Sequence, residues 1–299
     1  MVIECRYFSA TKDVLAGSGG GLVSILVSHP LNTVIIQLRT NPDTYKSALH
    51  CARSIWNKQG ILGYYKNKDI PMVSPAIIMS EQFFFYGQLK RWLGIKEIDD
   101  NYEISRCFLA GALTGCISSF IETPLELIHC QIQRQIKQHT HVFDPNVLDG
   151  MKYILNTNGL FGFYRGFTAT IIRSVPACMF FFGGYEWTKR KLYTNTSSDW
   201  YSGTKEYHFR LTTLLGGACG GLACWFSCYP FDVIKSAIQT DDIRREHRKY
   251  TSYMDCVKQL YQDGGIKIFF RGFVPIVLRT IPVSAACFLA YEEIYRVLE

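Results

Sequence analysis

Long apolar runs alternate with short polar, basic stretches along this chain. Segments 14–38, 71–93, 107–132, 167–185, 211–238 and 273–289 are rich in apolar residues. Each is long enough to cross a bilayer as a helix, which takes about 20 residues. None is uniformly apolar, because each carries Gly, Pro, Ser or a charge. A polar face on such a helix suits the wall of a watery cavity and not contact with lipid. Basic, polar loops at 39–46, 134–146 and 240–249 lead to short mixed segments at 47–58, 148–157 and 252–262. These read as amphipathic helices. Gly60, Gly159 and Gly264 break the chain before the next long helix. The predicted unit is long helix, loop, short helix, long helix, three times over.

The repeat is also written in particular residues. His29-Pro30-Leu31-Asn32, Thr123-Pro124-Leu125-Glu126 and Tyr229-Pro230-Phe231-Asp232 are copies of one block. Gly17 and Gly21, Gly111 and Gly115, and Gly217 and Gly221 precede the three prolines as G-x-x-x-G at nearly the same offset. Such glycines permit close helix approach, and the proline removes a backbone hydrogen bond and kinks its helix. Lys66, Arg165 and Arg271 open the second half of each unit, with Tyr86, Tyr185 and Tyr291 further on at matching positions. Periodicity of this kind sets the architecture. We divide the chain into repeats 1–97, 98–200 and 201–299. The fold class is an all-α membrane protein: six transmembrane helices in three tandem two-helix repeats with pseudo-threefold symmetry. Two crossings per repeat place both termini on one side, and the basic loops mark the short-helix side as positive-inside.

Composition sharpens this picture in three places. Hydrophobic residues make up 48% and charged residues 19% of the chain, and mean hydropathy is only +0.03, as a polar-lined bundle requires. The net charge of +7 fits anionic headgroups and an anionic or zwitterionic solute. That charge is dispersed and no nucleic-acid-binding motif accompanies it, so no nucleic-acid partner is expected. The eleven cysteines show no C-x-x-C pair and no zinc spacing, so no metal site is predicted. Residues 1–12 lack a basic-then-apolar pattern, and Glu4 and Asp13 are acidic; no cleavable presequence is expected. No nucleophile elbow, phosphate loop or metalloprotease motif occurs, so an enzyme is not expected.

The three proline blocks and the aromatic-led blocks at Tyr86, Tyr185 and Tyr291 resemble the mitochondrial carrier family over nearly the whole chain. The family writes P-x-[D/E]-x-x-[K/R] on the first helix of each repeat. Repeat three has Pro230, Asp232 and Lys235; repeat two has Pro124, Glu126 and His129; repeat one has Pro30, Asn32 and Ile35. On the second helices the family writes aromatic-[D/E]-x-x-[K/R]. Tyr185, Glu186 and Lys189 fit it, while Gly87 replaces the acid in repeat one and Tyr295 the base in repeat three. The strings around His29, Asp232 and Arg279 resemble the carnitine/acylcarnitine and basic amino-acid branch.

The resemblance implies alternating access between a matrix gate and a cytosolic gate. The implied matrix gate has Glu126–Lys235 as its full pair and Asn32–His129 as a hydrogen bond. Asp232 faces Ile35 or recruits Arg39, and Gln133 and Gln239 act as braces. The implied cytosolic gate keeps Glu292–Lys90, with Glu186 facing Tyr295 and Lys189 facing Gly87. With so few pairs, apolar packing must help to close the gates or they open over low barriers. The implied central site lies at Ser74, Pro75, Arg173, Ser174, Arg279 and Thr280. Arg-Gly pairs Arg165-Gly166 and Arg271-Gly272 correspond to the family's cardiolipin sites, at helix N-termini that offer free N–H groups.

Two guanidiniums midway along apolar helices need a partner, and the planar fork of arginine suits a carboxylate. Arg279, Arg173 or both are the predicted anchors for a solute carboxylate. Ser174 stands where the carnitine-like branch has an acid, so Glu122, with Glu81 as the alternative, is expected to hold the solute's cationic end. His29, just before the kink, is a further candidate for solute contact. The expected protein is a monomeric antiporter or uniporter of the mitochondrial inner membrane, termini toward the intermembrane space, for a carnitine-like or basic amino-acid zwitterion. The missing gate charges leave one alternative open: a carrier-fold receptor or scaffold that does not transport.

Overall fold

The computed structural model describes residues 2–40, 48–65, 73–95, 101–138, 147–194, 205–270 and 272–298. Ten α-helices follow in order: α1 (Val2–Thr40), α2 (Ala48–Gln59), α3 (Leu62–Tyr65), α4 (Val73–Trp92), α5 (Asn101–Gln138), α6 (Val147–Asn158), α7 (Phe167–Thr194), α8 (Lys205–Gln239), α9 (Tyr253–Gly264) and α10 (Phe273–Val297). No strand occurs among the described residues. The long helices outrun the apolar segments that predict them, because polar turns at both ends continue the same backbone hydrogen bonding.

Six long helices close into a ring in the order α1, α4, α5, α7, α8, α10 and back to α1. The short helices α2, α6 and α9 pack at the foot of the first helix of their own repeat. Pro30, Pro124 and Pro230 lie inside α1, α5 and α8, which continue through them. Thr11–Val34, Ile104–Ile132, Leu160–Leu192, Arg210–Gln239 and Phe273–Val297 are long and apolar enough to cross a membrane. Helix α4 takes the sixth place in the ring but falls short of that hydropathy. Glu81, Gln82, Gln88, Lys90 and Arg91 dilute its apolar residues.

The G-x-x-x-G glycines act where the helices of one repeat touch. A Cβ on Gly111 would lie 2.6 Å from the carbonyl of Cys178, and one on Gly217 2.7 Å from that of Ser284. No side chain fits there, so α5–α7 and α8–α10 approach backbone to backbone. Helix α9 starts on a reciprocal cap: Ser252 accepts from the Asp255 amide, and the Asp255 carboxylate accepts from Thr251. That arrangement satisfies otherwise orphaned N–H groups. In repeats one and two the predicted breaks at Gly60 and Gly159 carry positive φ of 64° and 66°. In repeat three the break is Gly265, at φ 61°, and Gly264 remains helical.

Candidate functional site

At the level of the prolines, Asn32, Glu126, Asp232 and Lys235 make contacts between helices of the ring. Lys235, only 3% exposed, forms the expected ion pair with Glu126 between α8 and α5. The Asp232 carboxylate lies 3.4 Å from Arg173 Nε on α7; the side chains of its expected neighbours, Ile35 and Arg39, lie outside the described residues. Asn32 departs from expectation: its side-chain oxygen accepts from the Arg279 guanidinium on α10 and not from His129.

Arg173 is the hub of this level. Besides Asp232, its guanidinium lies 3.4 Å from Glu122 and 3.8 Å from Glu126, and it donates to Ser174 Oγ at 3.1 Å. Ser174 donates to Glu122 at 2.6 Å, and Gln82 of α4 donates to the other Glu122 oxygen. Glu122 is fully buried and thus accepts from three groups of the chain itself. The sequence prediction that Arg173, Ser174 and Glu122 share one site therefore matches their placement. What the sequence did not reveal is that the chain's own acids already neutralise this arginine.

At the far end of the ring a second set of charges closes α4, α7 and α10. The expected pairs were Glu292–Lys90, with Glu186 and Lys189 left against Tyr295 and Gly87. The structure pairs them otherwise. Lys90 lies 2.6 Å from Glu186, and Lys189 2.6 Å from Glu292; Tyr185 also donates to Glu292, at 2.5 Å. The reason is helix direction. Acid and base are three residues apart on both sets of helices, a fixed offset around each axis. The second helices run antiparallel to the first, so the same offset points the opposite way round the ring. At the proline level Glu126 reaches forward to Lys235 of the next repeat, whereas at the far end Lys90 and Lys189 each reach forward to the acid of the next repeat.

The third far-end pair comes from outside the motif. Asp13 of α1, buried, forms an ion pair with Arg91 of α4 and accepts from Tyr291 of α10 at 3.3 Å. Its carboxylate occupies the space above Gly87: a Cβ there would lie 2.5 Å from Asp13 Oδ2. The glycine that deletes the motif's acid makes room for another acid. Sequence reasoning missed Asp13 and Arg91. The available signal was an acid directly before the first apolar segment, in the repeat whose second helix lacks the motif's acid.

Directly inside these pairs sit six aromatic rings in threefold register. Tyr86 stacks on Phe182 at 4.0 Å, Tyr185 on Phe288 at 3.9 Å, and Tyr291 on Phe83 at 4.2 Å. In each repeat the phenylalanine precedes the tyrosine by three residues, one helical turn, so every repeat gives a ring to each neighbour. Removing such a side chain from water is worth about 1.5–3 kcal/mol, whereas the ion pairs are partly buried and their desolvation offsets much of their attraction. Closure at this level rests mainly on aromatic packing, with the pairs fixing its register.

Other predicted residues lie elsewhere. His29, 1% exposed, meets the Tyr64 carbonyl at 2.9 Å and stacks on Tyr65, so it secures α3 and does not join Arg173 and Arg279. Gln239 lies against Thr170 at 3.4 Å, and Gln131 donates to the Gln239 carbonyl, so Gln239 ties α5, α7 and α8 together. Arg165 bonds Asp241 at 2.8 Å and the Asp242 carbonyl. Its side chain thus faces the loop after α8, while Gly166, at φ 82°, turns the chain into α7. Gly272 caps α10 in the same left-handed conformation. Ser74 and Gln133, by their side chains, and Arg271 lie outside the described residues.

A threefold ring of kinked helices, charged at two levels around a buried centre, defines a membrane solute carrier. The comparisons agree: the family description "Mitochondrial carrier protein" matches residues 7–97, 100–196 and 208–299. The chain belongs to the mitochondrial carrier family and is a multi-pass mitochondrial membrane protein. It is 31% identical to the mitochondrial carnitine/acylcarnitine carrier protein of Rattus norvegicus, covering 100% of this chain and 98% of that one. It is 30% identical to the glutamate/glycine mitochondrial carrier ymc1 of Schizosaccharomyces pombe, over 98% and 97% of the two chains. With the mitochondrial basic amino acids transporter of Homo sapiens it shares 33% identity over 92% and 87%.

Proposed function

We propose that this chain moves a small zwitterion bearing a carboxylate, carnitine-like or a basic amino acid, across the mitochondrial inner membrane by alternating access. The observation that carries the reading is the pair of arginines, Arg173 and Arg279, at matching positions in the second turn of α7 and α10. Arg173 is already neutralised by Glu122, Glu126 and Asp232, so Arg279 is the anchor for the solute carboxylate. Its bond to the neutral Asn32 amide exchanges for a charge-assisted fork on a carboxylate, which is about twice as strong. The level of Glu126 and Lys235 then serves as the matrix gate. The level of Lys90, Glu186, Lys189 and Glu292 serves as the cytosolic gate, with both termini on the intermembrane-space side. The Asp13–Arg91 pair and the aromatic layer favour a working gate over a scaffold that has lost one.

Reconstitution into liposomes tests this, with uptake of carnitine, lysine, glutamate and 2-oxoglutarate measured. Arg279→Ala should abolish saturable uptake, since losing one partner of a buried charged contact costs about 2–5 kcal/mol. Arg279→Lys should recover little, because a point charge makes no bidentate pair. Wild-type uptake by Arg279→Ala would misplace the site, and absence of any saturable uptake by the native chain would end the transport reading.

A further inference from the structure

We propose that Glu81 of α4 is the subsite for the solute's cationic end, an ammonium, guanidinium or quaternary ammonium group. The assignment rests on the transport reading above and extends it. Both Glu81 carboxylate oxygens are buried, and the polar group beside them is the uncharged Ser118 hydroxyl of α5. The charge that acts on Glu81 is the neighbouring Glu122 carboxylate, a like charge. A buried carboxyl without a counter-ion is costly as an anion, and a bound cation supplies the opposite charge it lacks.

The bases nearby are committed. Arg173 serves Glu122, Glu126 and Asp232, and Lys235 serves Glu126. Glu122, the sequence-based choice for this role, accepts from Gln82, Ser174 and Arg173, which leaves it a structural partner of the arginine. Together Glu81, Glu122, Glu126 and Asp232 bring four acidic groups against the three basic groups Arg173, Lys235 and Arg279. A zwitterionic solute brings its carboxylate to Arg279 and its cation to Glu81, the acid of this group that has a like charge and no base beside it.

Position supports the same reading. Glu81 stands two residues before Phe83, a member of the aromatic layer. Side chains on a helix lean toward its N-terminus, which turns Glu81 away from that layer and toward the level of the arginines. Filling the subsite thus places the solute's charge against the underside of the far gate, where it can bias opening.

The test uses full-length protein in liposomes, with labelled lysine and carnitine as cationic probes and 2-oxoglutarate as a carboxylate without a cation. Glu81→Gln keeps shape and removes the charge. Uptake of lysine and carnitine should fall roughly 30-fold or more, with 2-oxoglutarate uptake unchanged or raised, and Glu81→Asp should retain part of the cationic uptake. In detergent, lysine should raise the melting temperature of the wild type and not of Glu81→Gln. Unliganded Glu81→Gln should melt at or above the wild-type temperature, because an uncompensated buried charge is gone. Equal selectivity in wild type and Glu81→Gln overturns the proposal, as does a lysine-induced shift that survives the substitution. If nothing crosses the liposomes, the transport reading fails, while the lysine-dependent shift still decides whether Glu81 binds the cation.

Discussion

The proline-level charges and the far-end charges are built from the same acid-x-x-base spacing, yet they are distributed in opposite ways. At the far end ion pairs join the first repeat to the second and the second to the third, Lys90–Glu186 and Lys189–Glu292, while Asp13–Arg91 lies within the first repeat and Tyr291 of the third donates to Asp13. At the proline level the acids crowd onto α5 and α8 around Arg173, and α1 contributes the neutral Asn32. The far end keeps a third ion pair although Gly87 carries no acid, because Gly87 leaves room for the Asp13 carboxylate. At the proline level no third pair of that kind stands among the described residues, and the acids gather around one arginine.

The largest effect expected in breaking this contrast is on Arg173. Arg173→Ala strands three buried or half-buried acids, and removing one partner of a buried ionic cluster costs about 3–5 kcal/mol. The variant should lose a large share of its stability in detergent, measured by thermal unfolding. Arg173→Ala together with Glu122→Gln should recover part of it. Unchanged melting in the single variant would mean that the cluster is solvated and that the acids do not depend on Arg173.

At the far end the effect is smaller, and a double-mutant cycle reads it. Asp13→Ala leaves the Arg91 guanidinium without its carboxylate, and Gly87→Asp pushes a second acid into the space Asp13 fills. Each should cost about 1–3 kcal/mol. Asp13→Ala combined with Gly87→Asp moves the acid back to its motif position and should restore most of the loss, giving a coupling energy well above that of distant sites. Strict additivity would show that Asp13 does not substitute for the missing acid.

The smallest effect lies outside both rings. Burial pushes the Asp242 carboxyl up. The Arg244 amide and guanidinium and the Arg134 charge outweigh that, so its pKa falls below the usual carboxylate value. A depressed pKa contributes stability above the unfolded value of about 3.9 and loses it as pH falls through the folded one. Proteolytic nicking of the loop around 240–248 should therefore rise only below that range and be flat from neutral pH to pH about 5. A rise already near neutral pH would point to a different group.

Much of the fold was legible from the chain. The three proline blocks gave the repeat, the apolar runs gave the long helices, and the basic loops were followed by short helices close to their predicted bounds: 148–157 was foreseen where α6 spans Val147–Asn158. Glu126–Lys235 and the shared neighbourhood of Arg173, Ser174 and Glu122 were legible too, because register along a helix fixes which faces point inward. His29 was not. Its place one residue before the kink suits the cavity equally well, and only the packing of α3 against α1 turned it to Tyr64. The threefold aromatic layer also went unread as a layer, since Phe83, Phe182 and Phe288 are unremarkable among many apolar neighbours until the helices meet.

Sequence by itself determined the number of repeats, the kinks, the close glycine contacts and the two levels of charge, since each is a property of one helix or of its spacing. Only the tertiary structure decided who pairs with whom. Pairing depends on helix direction around the ring, which reverses the sense of an identical spacing between the first and second helices. It depends also on empty volume, as at Gly87, where a missing side chain admits a carboxylate from a helix of different register. The lack of a base beside Glu81 belongs to that class as well: a carboxylate is short of a counter-ion only once every nearby base has been assigned elsewhere.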